Sequence, residues 1–119
     1  MKKILIVDDE PNIVMTLEYT FKKSNYEVFI ARDGQEALDI LKSNFPDVII
    51  LDIMMPMVDG FATLEQIRKD ANLQHTKVMF LSAKNKESDI EKGLALGADA
   101  YMTKPFSIKK VVEKVEELL

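Results

Sequence analysis

Four apolar runs along this chain each stop abruptly at a polar residue. Ile4-Leu5-Ile6-Val7 ends at Asp8-Asp9, Val48-Ile49-Ile50-Leu51 at Asp52, Val78-Met79-Phe80-Leu81 at Ser82, and Tyr101-Met102-Thr103 at Lys104-Pro105. The first three are apolar at every position, as parallel strands covered on both faces must be. Between them the apolar period lengthens to that of a helix. Ile13, Val14, Leu17 and Phe21 form one stripe after Pro11, which suits a first helical turn. The pattern therefore predicts strands at 3–8, 26–31, 48–52, 77–82 and 99–103. It predicts helices at 11–23, from the Asp33 cap to about residue 44, after the Asp59 cap (Phe61, Leu64, Ile67), at 85–96 and at 107–118. Glu36 follows Asp33 at capping-box spacing. The helix at 85–96 is the weakest, with Ile90, Leu94 and Leu96 as its only large apolar residues, Gly93 interrupting it and Gly97 stopping it. The last is the clearest, with Ile108, Val111, Val112, Val115 and Leu118 on one stripe. Strict alternation of strand and helix implies a parallel α/β sheet with right-handed crossovers and helices on both faces.

Composition narrows the function classes. At 119 residues, 47% hydrophobic and 30% charged, the chain fits one folded domain over 1–119. No apolar run approaches the ~20 residues that cross a bilayer, so no membrane partner is expected. Cysteine is absent, which removes disulfides, thiolate catalysis and thiolate metal sites and is compatible with a cytoplasmic location. A net charge of −4 argues against direct nucleic-acid binding by this domain. His75, the one histidine, lies in a polar stretch and reads as solvated, so a histidine-rich metal site is not available. The four glycines form no phosphate-binding loop. The seven methionines read as core filler and loop packing.

In an open α/β sheet, ligands bind at the carboxyl ends of the strands. Asp8, Asp9, Asp52, Ser82 and Lys104 all stand there. Asp8-Asp9 alone reads equally well as a solvated turn, Ser82 as a helix cap and Lys104 as a surface lysine. Asp52 changes the weighing, because a third carboxylate on a neighbouring strand end is costly without a cation. A hard divalent ion such as Mg²⁺ suits oxygen donors of this kind. Glu10 extends the acidic turn and is expected at the rim. An aspartate can attack phosphorus to give an aspartyl phosphate, and phosphoryl transfer then needs mainly positioning and charge neutralisation. Lys104 would supply an ammonium donor to the phosphoryl oxygens and Ser82 a hydroxyl.

The ordered set Ile4-Leu5-Ile6-Val7-Asp8-Asp9-Glu10, Asp47-Val48-Ile49-Ile50-Leu51-Asp52-Ile53-Met54-Met55-Pro56, Asp59-Gly60, Leu81-Ser82-Ala83, Gly97-Ala98-Asp99-Ala100-Tyr101 and Lys104-Pro105-Phe106 resembles the receiver domain of two-component response regulators over the whole chain. The resemblance implies a flavodoxin-like doubly wound fold with strand order 2-1-3-4-5. It implies that Asp52 accepts a phosphoryl group from a sensor histidine kinase or a histidine phosphotransfer protein. Asp9 would bind Mg²⁺ directly, Asp8 through water, and the Met54 backbone carbonyl would complete the set with Asp52. Ser82 and Tyr101 would be the switch pair, and Lys104-Pro105 would be cis. The readout face would be the fourth helix, fifth strand and fifth helix, acting on an output partner or an effector domain. Such a domain is a binding switch rather than an enzyme. Met54 and Lys84 occupy the positions that bear on signal lifetime, and Met54 offers no polar group to orient a water, so slow self-dephosphorylation is expected. Ala100 stands where dimerising receivers often carry an acid, which weakens the expectation of a phosphorylation-dependent dimer.

Two other classes compete. An aspartate-nucleophile phosphohydrolase would want a second acid two residues after the nucleophile, where this chain has Met54. A flavin carrier would want Ser, Thr and Gly after the first strand, where this chain has Asp8-Asp9-Glu10.

Overall fold

A computed structural model describes residues 1–119. Five strands, β1 (Lys3–Val7), β2 (Glu27–Ala31), β3 (Val48–Leu51), β4 (Lys77–Ser82) and β5 (Ala100–Thr103), alternate with five helices. These are α1 (Pro11–Lys23), α2 (Gly34–Ile40), α3 (Gly60–Lys69), α4 (Glu87–Ala95) and α5 (Ile108–Leu118). All pairings are parallel and the order is β2-β1-β3-β4-β5, as expected.

Successive side chains of each strand enter different cores. Leu5, Val7, Ile49, Leu51, Val78 and Phe80 join α2 and α3 residues such as Ala37, Leu64 and Ile67 in one cluster. Ile4, Ile6, Val48, Ile50, Met79 and Leu81 join Leu17 and Phe21 of α1 and Val111 and Val115 of α5 in the other. Helices covering both faces explain why the central strands are apolar throughout.

Asp33 Oδ1 accepts from the Glu36 N–H at 2.8 Å, and Asp59 Oδ1 from the Ala62 N–H at 2.9 Å. Glu36 reaches back to the Arg32 N–H at 3.0 Å, one residue before the cap, so the capping box is displaced. Helix α2 ends at Ile40 rather than near residue 44, because the chain tightens into short turns from Lys42 to Asp39 and Ser43 to Ile40. A single 3₁₀ turn at Ala71–Leu73, not anticipated, follows α3.

Helix α4 is shorter than expected, and Gly93 is its only buried residue. That glycine does not interrupt the helix. A Cβ there would lie 3.0 Å from the Phe80 ring and 3.2 Å from the Tyr101 ring, so Gly93 lets α4 sit directly on the two aromatics. The stop at Gly97 is confirmed: its φ is +109°, and Ala98 N–H to Gly93 O with Gly97 N–H to Leu94 O closes the helix as a Schellman turn.

Arg68 fastens the end of β4–α4–β5 opposite the strand tips. Its guanidinium donates to Gly97 O at 3.0 Å, Thr76 O at 2.9 Å and Asp99 Oδ2 at 3.0 Å. Asp99 Oδ2 also accepts from the Val78 N–H at 2.9 Å. A planar fork that reaches three acceptors in two chain segments at once is arginine chemistry.

Candidate functional site

Beyond their last regular residues, β1 and β3 each continue for one hydrogen bond. Asp8 N–H donates to Ala31 O and Asp52 N–H to Val7 O, so both aspartates are held by the sheet while their side chains leave it. Each carboxylate then turns one oxygen back on the chain. Asp8 Oδ1 accepts from the Glu10 N–H at 2.9 Å, and Asp52 Oδ1 from the Ile53 N–H at 2.7 Å. The other oxygens face Lys104, which the fifth strand delivers from the opposite side. Its Nζ stands 3.0 Å from Asp8 Oδ2, 3.4 Å from Asp52 Oδ2 and 2.8 Å from Glu10 Oε1. The Lys104-Pro105 bond is cis, as the resemblance implies. Lys104 is no solvated surface lysine, since only 10% of its side chain is exposed.

Ser82 ends β4, fully buried. Its carbonyl accepts from the Lys104 N–H at 2.9 Å, so the backbone places the hydroxyl between the Asp52 and Lys104 strands. Its Oγ accepts from the Lys84 N–H at 3.3 Å. Tyr101 Oη donates to Lys84 O at 2.6 Å. The two expected switch residues are therefore tied to the same residue's backbone, a link that side-chain identity at position 84 does not announce. Behind them the Tyr101 ring lies 5.7 Å from Phe80, Phe80 lies 5.6 Å from Phe61, and the Lys92 ammonium sits 4.5 Å above Phe61.

The electrostatics follow from counting. Asp8, Glu10 and Asp52 bring three carboxylate atoms within 4.8 Å of one another around a single ammonium. Burial opposes charge on Lys104, but the hydrogen bonds it donates to Glu10 and Asp8 and the charge of Asp52 outweigh it and hold the ammonium above its ordinary range. Burial pushes the Asp8 carboxyl up, and the Asp52 charge adds to that. The Glu10 N–H and Lys104 oppose it without cancelling it. Burial is the main cause for Asp8 and the surrounding carboxylates the cause for Lys104, with the Asp52 charge pushing both the same way. Burial also raises the Tyr101 phenol, helped by Asp89 and Asp52.

Asp9 is exposed and contributes no atom to the converging group, while Glu10, expected only at the rim, is exposed yet bonded to Lys104. Met55 and Met79 do fill core, whereas Met54 and Met57 are 57% and 88% exposed. Met57 also holds φ +66°, a left-handed conformation that a non-glycine residue rarely adopts.

The model of the response regulator receiver domain matches residues 4–116. The chain belongs to that family. Receiver domains are the phosphorylation-controlled switches of two-component response regulators. This one is 45% identical over 118 residues to the alkaline phosphatase synthesis transcriptional regulatory protein PhoP of Bacillus subtilis, covering 99% of this chain and 48% of that protein. It thus spans about half the length of that curated relative. The receiver fold is shared with chemotaxis response regulator CheY4 of Vibrio cholerae, with TM-score 0.94, 31% identity and coverage of 100% and 99% of the two chains. Response regulator TrrA of Thermotoga maritima, solved in complex with Mg(2+)-BeF, is 38% identical with TM-score 0.87 and full coverage of both chains. In the receiver described here, the oxygen donors at the strand tips and their surplus negative charge fit a hard divalent cation. No helix is long and apolar enough to cross a membrane.

The raised Asp8 carboxyl has a definite linkage sign. Below pH 3.8 the group is neutral in both folded and unfolded chains and contributes nothing. As pH rises above that value the unfolded chain gives up the proton first, and the charge becomes a growing penalty on the fold until the folded group has ionised too. Asp8→Asn keeps an acceptor for Lys104 and removes the charge. In EDTA at pH 7 the variant is expected to be more stable than wild type. The gain should shrink toward zero as pH falls to the ordinary carboxylate range. Chemical denaturation across that pH series checks it, and a variant less stable at pH 7 contradicts a net penalty on the buried Asp8 charge.

Proposed function

We propose that Asp52 is the phosphoacceptor of this receiver and that phosphorylation changes what the α4–β5–α5 face binds. One observation carries the reading: Asp52 Oδ1 is fixed by the Ile53 N–H, while Oδ2 is turned toward the Lys104 ammonium at 3.4 Å. A carboxylate with one oxygen anchored and the other presented beside a cation is oriented as a nucleophile. The donor is the phosphohistidine of a sensor kinase or of a histidine phosphotransfer protein. Oδ2 forms the new P–O bond, the P–N bond breaks, and its electron pair returns to the imidazole nitrogen. Lys104 donates to a phosphoryl oxygen and Ser82 Oγ to another. Asp9, Asp8, Asp52 and the Met54 carbonyl are the groups that would hold Mg²⁺, which when bound neutralises charge on the phosphoryl oxygens.

The link from Ser82 through Lys84 to Tyr101 supports the switch reading. A hydroxyl drawn toward the phosphoryl group gives up the Lys84 N–H, and Lys84 O is the acceptor that anchors Tyr101. Tyr101 and Phe80 are also the floor on which Gly93 seats α4. Helix α4 buries little else, so it is cheaply displaced. The likeness to a transcriptional regulator about twice as long supports an effector domain as the output. We place the domain in the cytoplasm with the kinase. Hydrolysis by the domain itself is slow in this reading, because Met54 has no polar group to orient water.

Incubation with acetyl phosphate and Mg²⁺, followed by intact mass, is expected to show a gain of one hydroxylamine-labile phosphoryl group in wild type and none in Asp52→Asn. An equal gain in the variant would remove Asp52 from the role. On the phosphorylated sample, hydrogen exchange is expected to change within residues 84–106; protection there that ignores phosphorylation would sink the output-face reading. Met54→Asn is expected to shorten the phosphorylated half-life several-fold, and an unchanged half-life would count against the account of slow hydrolysis.

A further inference from the structure

Glu10 occupies the N-cap of α1, a position where short Ser, Thr, Asp and Asn side chains are favoured because they reach the free N–H groups of the first turn. Its side chain makes no cap hydrogen bond. It goes instead to the Lys104 ammonium, at 2.8 Å the shortest of that group's three carboxylate contacts. An ammonium has three N–H donors, and three carboxylates surround this one. For Lys104 to grip a phosphoryl group on Asp52, a contact must break.

The partners differ in how easily they let go. The Asp8 and Asp52 side chains are each only 4% exposed, so an unpaired charge on either is costly. Glu10 is 57% exposed and passes into water at little cost. Glu10 is also the member that gains nothing from an arriving phosphoryl group. Its carboxylate repels the incoming anion and competes with it for the same ammonium.

We propose that Glu10 is a positioning residue that latches Lys104 in the resting state and must release it before the ammonium can take a phosphoryl oxygen. This rests on the reading of Asp52 as phosphoacceptor and adds a residue to it. The latch holds Lys104 inward, aimed at the site, and sets a threshold for phosphorylation. It also accounts for the place of Glu10 among the converging acids: the ammonium gathers it there.

Two variants separate the latch from a simple field effect. Glu10→Gln keeps the reach and loses the charge. Glu10→Asp keeps the charge and is one methylene too short for the contact. If the latch acts, both take a phosphoryl group from acetyl phosphate about two- to fivefold faster than wild type at low ionic strength. The advantage shrinks as salt screens the exposed partner. If Glu10→Asp behaves as wild type while Glu10→Gln is faster, only the negative field matters and the latch is wrong. It is equally wrong if neither variant differs from wild type. A second readout does not involve phosphorylation. The side-chain ¹H–¹⁵N resonance of Lys104 in the metal-free protein should move in both variants. An unmoved resonance overturns the latch. A moved resonance in a protein whose wild type takes no phosphoryl group upholds the resting hold and places the failure with Asp52.

Discussion

Three carboxylates sharing one ammonium at the tips of parallel strands is the arrangement on which the rest of this receiver depends. The sheet creates it without choice. Parallel pairing brings the ends of β1 and β3 side by side, and β5 reaches the same edge from beyond β4. Asp8 and Asp52 are each held by a backbone N–H bond to the sheet and by a carboxylate oxygen that accepts from a following N–H, so they are not free to move apart and relieve their repulsion. Lys104 neutralises part of the charge and leaves a surplus. The site is therefore under electrostatic tension in its resting form, and any added cation lowers the free energy of the folded chain. A fold with a relaxed site would have less affinity to offer a metal or a phosphoryl donor.

That tension has a mechanical connection to the outer face. Ser82 and Tyr101 contact the same residue, Lys84, one through its N–H and the other through its carbonyl. Tyr101 and Phe80 then carry α4 at Gly93, with Lys92 over Phe61 closing the stack. The opposite end of β4–α4–β5 is fixed by Arg68, through Gly97, Thr76 and Asp99. Helix α4 is thus pinned at its C-terminal turn and lightly seated along its length.

Much of this was legible in the chain. Continuous apolar runs announced doubly covered strands, the helical stripes announced which faces they meet, and the strand-end polar residues named the site. What escaped were features set by reach and by distance of approach. Nothing in the letter Glu at position 10 distinguishes a solvated rim acid from one bonded to a lysine ninety-four residues later. Gly93 reads as a helix weakness because its value lies in the two rings beneath it, which are brought there by other segments. Arg68 looks like a basic residue in a last helical turn, and its three partners are contributed by the β3–β4 and α4–β5 connections. The end of α2 was misplaced because Leu41 continues the apolar stripe after the backbone has left the helix.

The same contrast separates what is general in the site from what is particular to this chain. In the proposed reading Asp8, Asp52, Ser82 and Lys104 answer to the chemistry, since a phosphoryl group needs a nucleophile, counter-charges and a hydroxyl donor. Glu10 is required by none of these, and its carboxylate opposes an anionic donor. A residue that works against the reaction while holding one of its essential groups is explicable as a control on when the reaction proceeds. Charge placement gives such control at low structural cost. The exposed end of the pair can be released by water, salt or an approaching partner surface, whereas the buried Asp8–Lys104–Asp52 set stays intact to receive the phosphoryl group.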